Sequence, residues 1–123
     1  MLFFLFYLVI VVGHTQCGGA MHCLQAPSSP ASTATATPLN RWLAPLISLT
    51  TSLQNRRPNP DTAPSASETL WILVDENVKA QVANACTTGS VTAAWLPLWV
   101  HGWVYEIENG GLRDLGISKG RGA

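Results

Sequence analysis

The sequence predicts an α/β fold, a partial parallel β-sheet with flanking helices and a C-terminal strand hairpin. Three observations predict it. The run Leu8 to Val12, closed by a glycine, has the Leu, Val and Ile content of a parallel strand covered on both faces. Two later segments repeat apolar residues every three or four positions, as helices do. The chain then ends in an aromatic and β-branched stretch broken at Asn109-Gly110. A strand, helices and a further strand make a crossover, but two parallel strands are too few to stand alone. The sequence therefore reads as the second half of a larger sheet in which the first strand has neighbours on both sides.

The elements follow in order. Met1 to Val12 is an apolar run of twelve residues. It is shorter than the roughly 20 residues a membrane span needs, so no membrane partner is expected. Read as a secretory signal, it lacks a positive n-region and a small-residue cleavage site. The strand reading is preferred for Leu8 to Val12, while Met1 to Tyr7 stays open between the two. After the turn Gly13 to Gly19, Ala20 to Leu24 suits one helical turn, and residues 25–38 form a low-complexity Pro/Ser/Ala/Thr loop.

Thr37-Pro38 has the form of an N-cap followed by proline at the first helical position. Leu39, Trp42, Leu43, Leu46, Leu49, Thr50 and Leu53 then mark one helix face. Pro45 removes a backbone donor and is expected to bend or split this helix near Arg41 and Trp42. A second polar loop, 55–67, leads to Ser65 and Glu68 at capping-box spacing. The next stripe is Leu70, Val74, Val78 and Val82, widened by Trp71, Ala85 and Cys86 and stopped at Gly89. Asp75, Glu76 and Lys79 fall off that stripe and read as a wet face. Ser90 to Trp95 suits a short helix closed by Pro97, followed by strand, two-residue turn and strand, with a loose tail after Ile117.

At 123 residues the chain is long enough for a single domain spanning 1–123. Only 11% of residues are charged, less than half the usual share, so the surface relies on Ser, Thr, Asn and Gln for solubility. Formal net charge is zero, and the basic clusters Arg56-Arg57 and Lys119-Gly120-Arg121 are too sparse to suggest a nucleic-acid partner. Cys17, Cys23 and Cys86 are an odd number without framework spacing, which points to a reducing compartment. Cys86 reads as buried packing and Cys23 has no assigned role.

The segment "VVGHTQCGGA" carries the chemistry. His14 and Cys17 stand at the C-terminal end of the first strand, where open α/β sheets place their ligands. A neutral imidazole and a thiolate are both zinc donors, and Gly18 and Gly19 would leave room for close approach. By themselves the two residues are equally compatible with a cap and a small core side chain. The segment comes, however, with "PLNRWLAPL", "ENVKAQVANA", "AAW" and "VHGWVYEIENGGLRDLGIS" in that order. Together these resemble the C-terminal portion of the β-class carbonic anhydrases, from about Leu8 to Ser118.

That resemblance implies a zinc cofactor, Zn(2+), with His14 and Cys17 as metal ligands, in a family whose zinc is held by two cysteines and one histidine. It implies carbonate dehydratase activity, the reversible hydration of CO2 to bicarbonate and a proton. The chemistry is that of a metal hydroxide, zinc lowering the pKa of its water from about 15.7 to about 7. The resemblance also implies a homodimer. The family's upstream Cys-x-Asp-Ser-Arg segment has no match, since none of the thirteen residues before His14 is Cys, Asp or Arg. The expectation is thus a truncated β-carbonic anhydrase-like domain in the cytoplasm, with a mitochondrial or secretory location as alternatives. The alternative function is a catalytically dead fragment with weak or no zinc binding, and no catalytic residue beyond the metal ligands is assigned.

Overall fold

A computed structural model describes residues 7–25, 37–56, 64–93 and 98–120. The start before Tyr7, most of the loops expected at 25–38 and 55–67, the end of the expected Ser90–Trp95 helix and the last three residues lie outside them. In chain order the elements are β1 (Tyr7–His14), α1 (Gly18–Gln25), α2 (Pro38–Asn55), α3 (Ala66–Thr87), α4 (Gly89–Thr92), β2 (Leu98–Glu106) and β3 (Gly111–Gly120). They fall into two compact units, one from Met1–Thr15 with Asn77–Ala123 and the other from Gln16–Glu76. Among the described residues no helix is long and apolar enough to cross a membrane.

The first unit holds a mixed three-stranded sheet in the order β1-β2-β3. β1 runs parallel to β2, from Tyr7 opposite Leu98 to His14 opposite Tyr105. β2 and β3 are antiparallel. The C-terminal half of α3 covers one sheet face, where Val78, Val82, Val100 and Val104 are almost fully buried. Gly102 explains how closely it does so. A Cβ there would lie 3.1 Å from both Val78 Cγ1 and Val82 Cγ2, so the mid-strand glycine is what lets the helix seat.

β1 departs from expectation. It is longer than Leu8 to Val12, and it is not covered on both faces: Leu8 is 57% and Val12 51% exposed. The reason is the face they occupy, since Leu8 and Val12 pair with Trp99 and Trp103, on the side opposite Val100 and Val104, which α3 covers. The tail after Ile117 is not loose, because Ser118, Lys119 and Gly120 pair with His101, Val100 and Trp99. The hairpin turn has four residues, Ile107 to Gly110, rather than two. Gly110 adopts φ 74° there, and Asn109 Oδ1 accepts from Gly111 N at 2.6 Å. β3 also bulges between its pairings with Gly102 and Trp103, where Gly116 at φ 67° donates its N–H to Asp114 Oδ1.

In the second unit Thr37 caps α2 as its sequence suggests, accepting from Asn40 N at 3.1 Å, with Pro38 in the first turn. Pro45 does not split the helix. It lies on the exposed side, where the carbonyl it leaves without a donor can bond water. The buried stripe begins at Leu43 rather than Leu39, and Trp42 is 77% exposed. Buried Thr50 is satisfied within the helix, donating to Leu46 O at 2.8 Å.

At the start of α3 the capping box closes in both directions, Ser65 N to Glu68 Oε2 at 2.7 Å and Glu68 N to Ser65 Oγ at 3.2 Å. Leu70, Val74, Val78 and Val82 are buried as the spacing predicts, with Leu73 beside them. Trp71 is half exposed, so it does not widen the stripe, and Cys86 is only partly buried. Gly89 starts α4 instead of capping α3.

Candidate metal centre

His14 is the last residue of β1 and its imidazole is exposed. Its Nδ1 lies 2.9 Å from the backbone oxygen of Thr15. A carbonyl can only accept, so Nδ1 is the donor in this bond, and the neutral tautomer compatible with it keeps a lone pair on Nε2. Metal-binding histidines are commonly held in this way, one ring nitrogen donating to a carbonyl or carboxylate and the other left for the ion.

Thr15 anchors that strand end. It is buried, its N–H donates to Tyr105 O at 3.0 Å, its hydroxyl donates to Glu108 Oε2 at 2.7 Å, and the same oxygen accepts from Ile107 N at 2.9 Å. Sequence reasoning passed over it. Its partners lie more than ninety positions away, and no local pattern announces such a contact.

Gln16 turns the chain with φ 54°, an uncommon left-handed conformation for a side chain that is not glycine. Cys17 follows as a half-buried free thiol, its carbonyl accepting from Met21 N at 2.9 Å in the first turn of α1. The glycines after it open the helix rather than a loop. A Cβ on Gly18 would meet nothing, and one on Gly19 would make only ordinary contacts with Leu43 and Cys17 Sγ, so the chain itself does not require glycine at either position. Cys23 is buried, and burial first, then the neighbouring Cys17, pushes its thiol up, so it stays protonated at neutral pH.

Among the described residues no three His, Cys, Asp or Glu side chains form a group that could hold a metal. His22 bonds Asn40 at 3.2 Å, and His101 bonds Ser118 Oγ at 2.7 Å while stacking on Trp99. An imidazole nitrogen and a thiol fit zinc as two donors, whereas catalytic zinc sites take three protein ligands and keep one position open.

The carbonic anhydrase family model matches residues 6–112. The chain belongs to the carbonic anhydrase family. Solved structures place it in the β-class. A Coccomyxa β-carbonic anhydrase, determined in complex with acetazolamide, matches at 30% identity and TM-score 0.68, over 92% of this chain and 48% of its own. The β-carbonic anhydrase CafA of Aspergillus fumigatus matches at 26% identity and TM-score 0.64, over 89% and 48%. The tetrameric β-carbonic anhydrases of Sordaria macrospora share the fold at 23% identity and TM-score 0.69, over 91% and 53%. The chain thus spans about half the length of the carbonic anhydrases it matches. Their fold accounts for the mixed sheet, and the "HGW" stretch of the family resemblance acquires a packing reason in Gly102.

Proposed function

We propose that His14 and Cys17 are two of the protein ligands of a carbonic anhydrase zinc centre, and that the completed centre catalyses reversible hydration of CO2 to bicarbonate and a proton. The observation that carries this reading is the His14 Nδ1 bond to the Thr15 carbonyl, which leaves Nε2 for a metal. Zinc, when bound, supplies the Lewis-acid charge that makes water a nucleophile at neutral pH. The chain's own residues fix the donors. The Thr15 bonds to Tyr105, Glu108 and Ile107 pin the end of β1, and with it the backbone that carries the imidazole. The first turn of α1 holds the Cys17 backbone.

Two donors leave the ion labile, because zinc binding energy depends on a complete ligand set. We therefore expect the 123-residue chain alone to bind zinc weakly and to hydrate CO2 no faster than background. The absence of a third donor group among the described residues favours, as second reading, a chain that binds no zinc at all. Equilibrium zinc titration of the purified chain against His14→Ala and Cys17→Ser separates the two. Affinity lost in both variants supports the ligand assignment, and identical curves for all three chains overturn it. Stopped-flow CO2 hydration is the companion measurement, and turnover by the isolated chain would refute the requirement for further ligands.

The free cysteines suit a cytoplasmic protein. Self-association as a homodimer is part of the same proposal, supported by the tetrameric Sordaria relatives.

A further inference from the structure

The acceptor that orients His14 is a carbonyl in an unusual stretch of backbone. It belongs to Thr15, and the next residue, Gln16, has φ 54°. An L side chain reaches that left-handed region at a cost in backbone energy, and such conformations persist where surrounding contacts fix them. If Gln16 relaxed to an ordinary negative φ, the peptide between residues 15 and 16 would rotate and carry the Thr15 oxygen with it. The imidazole would then lose its acceptor.

The contacts that hold Thr15 come from β2 and the loop after it. Thr15 N–H donates to Tyr105 O at 3.0 Å, while its hydroxyl accepts from Ile107 N at 2.9 Å and donates to Glu108 Oε2 at 2.7 Å. Two of these partners are main-chain groups, and only Glu108 contributes a side chain. Thr15 is 4% exposed, so its hydroxyl hydrogen cannot fall back on water. Without the Glu108 carboxylate, the side chain turns in search of another acceptor and its oxygen leaves Ile107 N. Residue 15 is then held by its amide, and the peptide after it is free to swing.

We propose that Glu108 is a positioning residue for His14. From the loop between β2 and β3 it ties the Thr15 hydroxyl, keeps the Thr15–Gln16 peptide turned with its oxygen towards the ring, and so selects the Nδ1–H tautomer. Replacing Glu108 leaves the acceptor atom in place but lets it move away. The meaning of this for catalysis rests on the reading of His14 as a zinc ligand, since Nε2 is left for an ion in that tautomer. The effect itself belongs to the metal-free chain.

Glu106 supplies the comparison. It stands at the end of β2 beside the same loop, where its carboxylate accepts from Asn109 Nδ2 at 2.8 Å and lies 3.4 Å from Arg113 Nε. Those contacts brace the hairpin without involving Thr15.

The test follows the His14 ring nitrogens by long-range nitrogen–proton NMR in the full chain with EDTA, at one fixed pH where the imidazole is neutral. In Glu108→Ala the ratio of Nδ1–H to Nε2–H forms should fall about fivefold, the size expected for the loss of one ordinary hydrogen bond. Glu108→Lys, which can only donate, should match it. Glu108→Gln, whose amide oxygen still accepts from the hydroxyl, should keep the wild-type ratio, and so should Glu106→Ala. Glu108 is exposed on its loop, and β-sheet amide shifts check that each variant keeps the fold. An unchanged ratio in the Ala and Lys variants overturns the proposal. A Gln variant as low as Ala also overturns it, because acceptance from the hydroxyl would then not be the cause. An equal fall in Glu106→Ala overturns it too and assigns the effect to a loosened hairpin. Because EDTA removes metal, a failed zinc titration leaves this result standing, and an unchanged ratio leaves the titration standing.

Discussion

Thr15 donates its hydroxyl hydrogen to Glu108 across 2.7 Å, joining the end of β1 to the loop between β2 and β3. The same hydroxyl oxygen accepts from Ile107 N, so one buried side chain serves a carboxylate and an amide at once. Removing it leaves both without that partner. Thr15→Val, which keeps the shape, is expected to cost about 1–3 kcal/mol. Urea denaturation of the two chains checks this, and a midpoint equal to wild type would show that the network contributes nothing.

Gly102 sets the distance between β2 and α3. Gly102→Ala places a methyl group 3.1 Å from two valine methyls and is expected to destabilise the chain by about 1–3 kcal/mol through overpacking. Combining it with Val82→Ala should recover part of that loss, because the second change removes one of the two clashing methyls. Simple additivity in the double-mutant cycle would contradict the packing account.

The reciprocal bonds of Ser65 and Glu68 give α3 its starting point. Ser65→Ala is expected to lower stability by about 1 kcal/mol, the usual cost of losing an N-cap side chain. Thermal unfolding followed by circular dichroism reads the shift, and Ser65→Asp, which restores an acceptor, should recover most of it.

His14 should populate the Nδ1–H tautomer in the metal-free chain when neutral, because its acceptor is a carbonyl. Long-range nitrogen–proton NMR spectra of the imidazole distinguish the tautomers directly. Added zinc should perturb the Nε2 resonance first. A dominant Nε2–H form would remove the support that this bond gives to the ligand assignment.

Much of the fold was legible because short-range rules govern it. The caps at Thr37 and Ser65 involve residues within three positions, and the four-residue spacing from Leu70 to Val82 depends on helix geometry alone. Periodicity states which residues share a face, but not whether anything covers that face. That is why Leu8, Val12, Trp42 and Trp71 were expected inside and lie partly or largely outside. The glycine within the β2 pattern was a signal that could have been used, since a strand glycine often marks a close approach by another element. For the proposed metal centre, His14 and Cys17 are named by the family resemblance alone. Thr15 is not, because its role depends on contacts with Glu108 and Ile107 at the far end of the chain.

The bond that orients His14 has an evolutionary consequence. Where a ligating histidine leans on a carboxylate, one substitution can remove the support. Here the acceptor is the main-chain oxygen of the next residue, which every amino acid carries. No single replacement at position 15 deletes it, although Thr15's own side chain helps keep it in place. Ring tautomer is thereby entrusted to the backbone, so sequence drift around the site can proceed further before the imidazole turns away.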